Sequence, residues 1–241
     1  MLQIRASLEQ LNYPSKMLSP QVYASQSSKS SHMEYFMPPL AFVIGDSISI
    51  QYGPYLEKML GGRWRYARKG GQAEAMKNLD IPRGANGGDS SMVLAYLREK
   101  TADGSFRPDV LLLNCGLHDI KTDPKTQARQ VPLDNYRANL REIVALIRAT
   151  GARLVWARTT PVVDRIHNAK QKGFSRYATD VAAYNAAADE VMAQAGAISA
   201  DLHAFTESLG GEEVFCDHVH FTEPVRQLQA AFLAGVLEAL R

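Results

Sequence analysis

Two short motifs at opposite ends of the chain carry residue types that could perform nucleophilic catalysis. A Gly-Asp-Ser tripeptide occupies residues 45–47, and the segment Asp-His-Val-His occupies residues 217–220. A serine activated by a histidine that a carboxylate orients can attack an acyl carbonyl, so the two motifs favour acyl-transfer chemistry. Each motif has a double, because residues 88–90 are again Gly-Asp-Ser and residues 164–167 are again Asp-x-x-His.

Five apolar segments predict the strands that must position these motifs. Continuous apolar runs at residues 40–44, 109–114 and 153–157, and a weaker run at 197–200, are typical of strands buried on both faces. Residues 63–68 alternate between polar and apolar types, as an edge strand with one wetter face does.

Helical periodicity separates the predicted strands. Apolar residues between 136 and 147 recur on one helical face, and Gly151 ends that helix. Residues 176–195 predict a second long helix, and Thr222 with Pro224 predicts the start of the last one. This alternation indicates a parallel sheet covered by helices on both sides, with functional residues at the carboxyl ends of the strands.

Strand context distinguishes Ser47 from Ser90. Ser47 follows the apolar run at residues 40–44 and precedes a helical stretch, so it lies at a strand-to-helix turn where its backbone N–H favours developing negative charge. Ser90 follows a glycine-rich loop with no strand before it, so we interpret Asp89 or Ser90 as a helix cap. Ser47 is therefore the predicted nucleophile.

The histidine candidates are separated less sharply by context. His167 follows a predicted strand within a polar segment, and His220 lies between the last strand and the last helix. A tight loop there would let the Asp217 carboxylate reach Nδ1 of His220 and leave Nε2 free for Ser47. Context favours His220, but it leaves His167 open.

Four ordered blocks resemble the SGNH/GDSL hydrolase family over about residues 40–241. They are Gly-Asp-Ser at 45–47, Gly-Asp-Ser at 88–90, Gly-Leu-His-Asp at 116–119 and Asp-x-x-His at 217–220. The resemblance implies Ser47 as nucleophile, Asp217 and His220 as orienter and base, and the N–H of Gly88 as an oxyanion donor. It also implies an α/β fold, a flavodoxin-like three-layer α/β/α sandwich with a five-stranded parallel sheet.

The third block departs from the family pattern Gly-x-Asn-Asp. His118 occupies the position of the asparagine whose side chain donates to the oxyanion in the family. An imidazole N–H can also donate, and a protonated ring would do so more strongly, so we assign His118 to the oxyanion hole beside the N–H groups of Ser47 and Gly88. Activity would then depend on pH through two histidines. We expect Asn114 to point elsewhere.

Composition sets the outer limits of the interpretation. The chain has 241 residues, 46% of them apolar, and a formal net charge of +2, which predicts one domain at residues 39–241. Residues 1–38 are polar and serine-rich, so we interpret them as a disordered extension, with the true start at Met1, Met33 or Met37. Without a bilayer-length apolar run or a secretion signal, we expect a cytoplasmic protein with no membrane partner.

Some residues also fit functions other than ester hydrolysis. Asp217, His218 and His220 could bind a metal ion, and the basic, aromatic residues 63–69 could bind nucleic acid. A domain of the same fold that only binds ligand is a further alternative. We expect Cys115 and Cys216 to be reduced, buried thiols, and Arg176 to form a surface salt bridge.

The prediction is a serine esterase that acts on short acyl esters, including acetylated carbohydrate, with a small-molecule or carbohydrate ester as its partner. It needs no metal and no cofactor, and it does not bind nucleic acid. The alternatives are a catalytically impaired binding domain and a metal-dependent hydrolase.

Overall fold

A parallel sheet of five strands organises the part of the chain that the structure describes. The structure is a computed structural model, and it describes residues 37–241. The strands are β1 (Leu40–Ile44), β2 (Arg65–Arg68), β3 (Val110–Leu113), β4 (Arg153–Ala157) and β5 (Ile198–Ala200). Their order is β2-β1-β3-β4-β5, and every neighbouring pair is parallel.

The sheet confirms the predicted strands and their places. β3 lies at the centre and all its residues are buried, as its continuous apolar sequence requires. β2, predicted as an edge strand, lies at one edge, and the weak run that forms β5 lies at the other. The predicted extension at residues 1–38 lies outside the described residues, apart from its last two positions.

Eight α-helices of the described residues complete the fold. They are α1 (Ser47–Leu60), α2 (Gln72–Ala75), α3 (Ser90–Thr101), α4 (Leu133–Thr150), α5 (Asp164–Lys170), α6 (Ala178–Ala195), α7 (Leu202–Glu207) and α8 (Glu223–Glu238). α1 packs against α8, and α4 packs against both α3 and α6. The fold is the predicted flavodoxin-like three-layer α/β/α sandwich. Within residues 37–241, no helix has the length and apolar character to cross a membrane.

The two cysteines differ in burial, which corrects one expectation. Cys115 is buried directly after the central strand β3, as predicted. Cys216 is exposed, and its Sγ lies 3.3 Å from an Nη2 donor of Arg226. The prediction of two buried thiols is therefore wrong for Cys216.

Leu111 allows a test of the central strand. It is fully buried in β3, so Leu111→Ala leaves a cavity, and we expect the free energy of unfolding to fall by about 2–5 kcal/mol. Leu228→Ala is the matched control, because Leu228 is 45% exposed on α8 and its truncation should change stability by less than about 0.5 kcal/mol. Urea denaturation measures both. Equal losses in the two variants would contradict this placement of the core.

Candidate active site

The turn from β1 into α1 determines where Ser47 lies. Asp46 caps the helix, because its Oδ1 accepts a hydrogen bond of 2.9 Å from the backbone N–H of Ile48. Ser47 is the first residue of α1, where a backbone N–H has no acceptor within the helix. The Ser47 side chain and its N–H therefore both lie at the carboxyl edge of the sheet.

Ser47, His220 and Asp217 form a continuous chain of hydrogen bonds. Ser47 Oγ lies 2.8 Å from Nε2 of His220, and Nδ1 of the same ring lies 2.7 Å from Oδ2 of Asp217. These partners give the ring a proton on Nδ1 and make Nε2 the acceptor of the Ser47 hydroxyl proton. The structure brings together all three residues that the sequence placed in one catalytic group.

A short loop before α8 explains how Asp217 reaches the ring. The N–H of Cys216 bonds to the carbonyl of His220 at 2.9 Å, so the chain folds back over residues 216–220. Oδ1 of Asp217 accepts from the N–H groups of Val219 and His220 at 2.8 and 2.7 Å. Partial burial raises the pKa of Asp217, but the bonds from the His220 ring and from these two N–H groups outweigh burial and lower the pKa overall.

The second copies of the two motifs, at residues 88–90 and 164–167, form hydrogen bonds outside the Ser47–His220–Asp217 group. Asp89 caps α3 through the N–H of Met92, and Ser90 Oγ accepts from Nδ2 of Asn139 at 2.9 Å. This arrangement agrees with the interpretation of residues 89–90 as a helix cap. His167 is fully buried on α5, where its Nε2 lies 3.0 Å from Nη1 of Arg176. The polar segment around it forms helix α5.

Gly88 lies in a tight turn that only glycine adopts readily. Its φ is +73°, and a Cβ there would lie 2.5 Å from Sδ of Met92. Its N–H, predicted as an oxyanion donor, already donates to Oδ1 of Asn86 at 3.0 Å. An oxyanion would have to share this donor with Asn86 or replace it. The competition between Asn86 and an oxyanion for this N–H was not predicted, although an asparagine two residues before a glycine commonly forms such a turn.

His118 is buried in the loop after β3. It is 1% exposed, and its Nδ1 has no hydrogen-bond partner among the described residues. Burial, together with the charges of Lys121 and Arg176, lowers the pKa of His118 well below its usual value. The ring is therefore neutral near pH 7, which argues against His118 as the second histidine through which activity was expected to depend on pH. Asn114 points elsewhere as predicted, with its Nδ2 bonded to the carbonyl of Ala157.

The proposed metal ligands are directed to different partners. Asp217 holds His220, whereas Nε2 of His218 lies 3.0 Å from Oδ1 of Asp80 without the alignment of a hydrogen bond. Across residues 37–241, no group of three or more His, Cys, Asp or Glu side chains is placed to hold a metal ion. Both rings border Asp217, since Nδ1 of His218 lies 3.7 Å from its Oδ1, but their Nε2 atoms contact different groups, Asp80 and Ser47.

The basic segment at residues 63–69 bonds to the protein itself. Trp64 is 3% exposed, so its ring offers no stacking surface. The four cations contact neighbouring parts of the chain: Arg63 pairs with Glu238, Arg65 bonds to the Pro38 carbonyl, Arg68 to Ser49, and Lys69 to the carbonyls of Gly84 and Asn86. These contacts favour a structural role for the segment.

One known protein family matches most of the chain. Residues 43–228 match the model of the GDSL-like lipase/acylhydrolase family. The matched region spans most of the protein and includes Ser47, Asp217 and His220. The protein belongs to this family of ester hydrolases. A comparison with curated protein sequences found no match.

Solved structures of low sequence identity share the fold. A lipase/acylhydrolase from Enterococcus faecalis has a TM-score of 0.62 at 15% identity, covering 83% of this chain and 96% of its own. A GDSL-like lipase from Bacteroides thetaiotaomicron has a TM-score of 0.60 at 13% identity, covering 84% and 89%. An acetyl xylan esterase, AlAXEase, has a TM-score of 0.60 at 12% identity, covering 82% and 99%.

The neutral state of His118 predicts a pH effect on stability. Since the folded state lowers the pKa of His118, the unfolded chain binds a proton there below about pH 6.5 that the folded chain does not bind. The stability of the wild type therefore falls as the pH falls from 7 to 5, and His118→Asn should lose less over this interval. Urea denaturation at both pH values measures the difference. Leu228→Ala, which removes no titrating group, should follow the wild type. A His118→Asn variant that also follows it would contradict burial of a neutral ring.

Proposed function

We propose that the protein is a serine esterase with Ser47 as nucleophile, His220 as general base and Asp217 as the residue that orients the base. The observation that carries this proposal is the chain of hydrogen bonds from Ser47 through His220 to Asp217, with distances of 2.8 and 2.7 Å. These are the contacts that acyl-enzyme chemistry requires between nucleophile, base and orienting carboxylate.

The acylation step uses the tautomer that Asp217 favours. Ser47 Oγ attacks the ester carbonyl carbon while its proton moves to Nε2 of His220, and the carbonyl oxygen becomes an oxyanion. The negative charge of Asp217 stabilises the imidazolium that forms. His220 then gives the proton to the departing alcohol oxygen, and the acyl group remains on Ser47. Water attacks this acyl-enzyme with the same base, which releases the acid and regenerates the serine.

The oxyanion would be held by the N–H of Ser47, the N–H of Gly88 and the ring of His118. The Ser47 donor lies at the N-terminus of α1, where the helix dipole adds to its effect. The Gly88 donor would pass from Asn86 to the oxyanion, because hydrogen bonds to a charged acceptor are roughly twice as strong as those to a neutral amide. A neutral His118 still carries one N–H and can donate it.

The proposed substrates are esters of short acyl groups, with acetylated carbohydrate as the first class to test. The family assignment supports ester hydrolysis, and the shared fold with an acetyl xylan esterase supports a carbohydrate acetyl ester as a starting point. The proposed mechanism uses only side chains and backbone N–H donors, so none of its steps involves a metal or an organic cofactor.

Replacement of the two serines tests the nucleophile. Ser47→Ala removes the attacking oxygen, so kcat for a p-nitrophenyl ester series from acetate to octanoate should fall by about 10⁴-fold or more. Ser90→Ala is the matched control, since Ser90 Oγ bonds to Asn139, and it should retain kcat within a few-fold. Loss of activity in Ser90→Ala with full activity in Ser47→Ala would overturn the assignment. If the wild type hydrolyses no ester of the series and shows no burst, a binding-only domain is favoured instead.

Replacement of His118 tests the third oxyanion donor. His118→Ala should lower kcat by about 10²–10³-fold with little change in KM, because the donor acts on charge that develops only in the transition state. His118→Asn returns a side-chain N–H to the same position and should recover part of that loss. If His118→Ala retains wild-type kcat, His118 does not donate to the oxyanion.

A further inference from the structure

Arg176 is a buried cation close to the proposed catalytic group. It is 2% exposed, which contradicts the expectation of a surface salt bridge. Its Nε donates to the carbonyl of Leu117 at 2.6 Å, its Nη1 donates to Nε2 of His167 at 3.0 Å, and its guanidinium lies 4.8 Å from the centre of the Phe174 ring. These contacts fix the orientation of the side chain.

The neighbouring helix α5 holds Arg176 by its backbone as well. Asn168 accepts from the N–H of Arg176 and donates to its carbonyl, both at 3.1 Å. Burial, followed by the charge of Arg176, lowers the pKa of His167 to about 4, so the ring is neutral and Nε2 is free to accept. Nδ1 of the same ring lies 3.1 Å from Oδ1 of Asn168 and completes the support. The guanidinium is therefore positioned before any ligand arrives.

Arg176 has no carboxylate partner at ion-pair distance among residues 37–241. The absence is unusual, because taking a charge out of water is costly unless a partner of opposite charge compensates. Burial accordingly lowers the pKa of Arg176 to about 10, and Asp46 and Asp80 act on it only as more distant charges. The guanidinium has five N–H donors, of which the bonds to Leu117 and His167 use two.

Lys121 adds a second cation, which is half-buried. Its Nζ lies 4.6 Å from the centre of the Phe174 ring and bonds to the backbone carbonyl of Asp80 at 3.1 Å. It too has no carboxylate at ion-pair distance in the described part of the chain. Burial, and then the charge of Arg176, lowers the pKa of Lys121 to about 8. A buried guanidinium and a half-buried ammonium group thus share one aromatic ring, with no carboxylate at ion-pair distance among the described residues.

The pair of cations lies beside the reacting groups. Arg176 bonds to the carbonyl of Leu117, the residue before His118. The charges of Arg176 and Lys121 both lower the pKa of His118, on which His220 acts as well. Asp46, the cap next to Ser47, is likewise within reach of the charges of Arg176 and His220. Arg176 and Lys121 therefore lie on the His118 side of the proposed active site, where the carboxylates of Asp46 and Asp80 act on both cations from a longer distance.

We propose that Arg176 and Lys121 bind a carboxylate carried by the ester substrate, so that the enzyme prefers anionic esters over neutral ones. The guanidinium presents its remaining donors in a planar fork that matches a carboxylate, and Lys121 contributes a point charge. The bound carboxylate supplies a counter-ion at ion-pair distance, which neither cation has among residues 37–241. This inference rests on the proposed esterase function, because it names the substrate class of that site.

Matched pairs of esters test the preference. One pair is 4-acetoxybenzoate and its methyl ester, which places the charge on the alcohol side. The other is p-nitrophenyl hydrogen adipate and its methyl ester, which places it on the acyl side. We expect kcat/KM of the wild type to be about 30-fold or more higher for the acid than for its methyl ester in at least one pair. In Arg176→Gln this ratio should fall towards one, and Lys121→Gln should lower it in the same direction. Equal rates within both pairs in the wild type would overturn the inference and leave the esterase proposal intact.

Further variants separate charge recognition from a merely structural role. If Arg176→Gln lowers both members of a pair equally, Arg176 only positions the loop at Leu117 and the inference is wrong. Arg176→Lys keeps the charge without the fork and should retain part of the ratio. Arg63→Gln is the control, since Arg63 pairs with Glu238 at the surface and its loss should leave the ratio unchanged. If Arg176→Gln does not fold, as thermal melting would show, Lys121→Gln carries the same comparison.

Direct binding keeps this inference separate from the esterase proposal. Ser47→Ala cannot form an acyl-enzyme, so calorimetric titration with 4-acetoxybenzoate and with its methyl ester measures binding alone. Tighter binding of the acid, lost in the Ser47→Ala/Arg176→Gln double variant, supports the carboxylate site even if no ester is hydrolysed. Equal binding of the two compounds, or a preference that survives the double variant, contradicts it.

Discussion

The hydrogen bond between Ser47 and His220 brings the two ends of the domain together at the proposed active site. It measures 2.8 Å and joins residues that are 173 positions apart in sequence. β1 leads directly into α1, which begins at Ser47. The loop at residues 216–220 places His220 shortly before α8. Since α1 and α8 pack against each other, the first and last helices of the domain hold the two ends of this bond.

Much of the fold and the position of Ser47 could be predicted from local sequence, whereas the choice of His220 over His167 needed the family resemblance. A short continuous apolar run is typical of a strand buried on both faces, and the helical stretch that follows places Ser47 at a turn. Asp217 and His220 are three residues apart, so a tight loop suffices to join them. Arg176 could not be predicted in this way. Its burial depends on α5 and on the Leu117 carbonyl, which are distant in sequence, and arginine is rarely buried without a partner.

His118 shows how tertiary surroundings change the chemistry of a residue type. The sequence placed an imidazole where an amide was expected and left its protonation state open. Burial and two neighbouring cations favour the neutral ring, which makes it a donor closer in character to the amide it replaces. The cations that would repel a protonated His118 are Arg176 and Lys121. One pair of charges therefore affects both the oxyanion side of the site and the proposed choice of substrate.

The second Asp-x-x-His motif, at residues 164–167, is not part of the proposed catalytic group. Its histidine supports Arg176, and this support depends on pH. Asp164 accepts from the N–H of Ala178 at the start of α6, and neutral His167 accepts from Arg176. Below about pH 4 the His167 ring gains a proton, can no longer accept, and presents a like charge to the guanidinium. Arg176 would then lose one of its two side-chain hydrogen bonds. Acid would thus loosen the support of Arg176 through a residue that takes no part in the proposed hydrolysis.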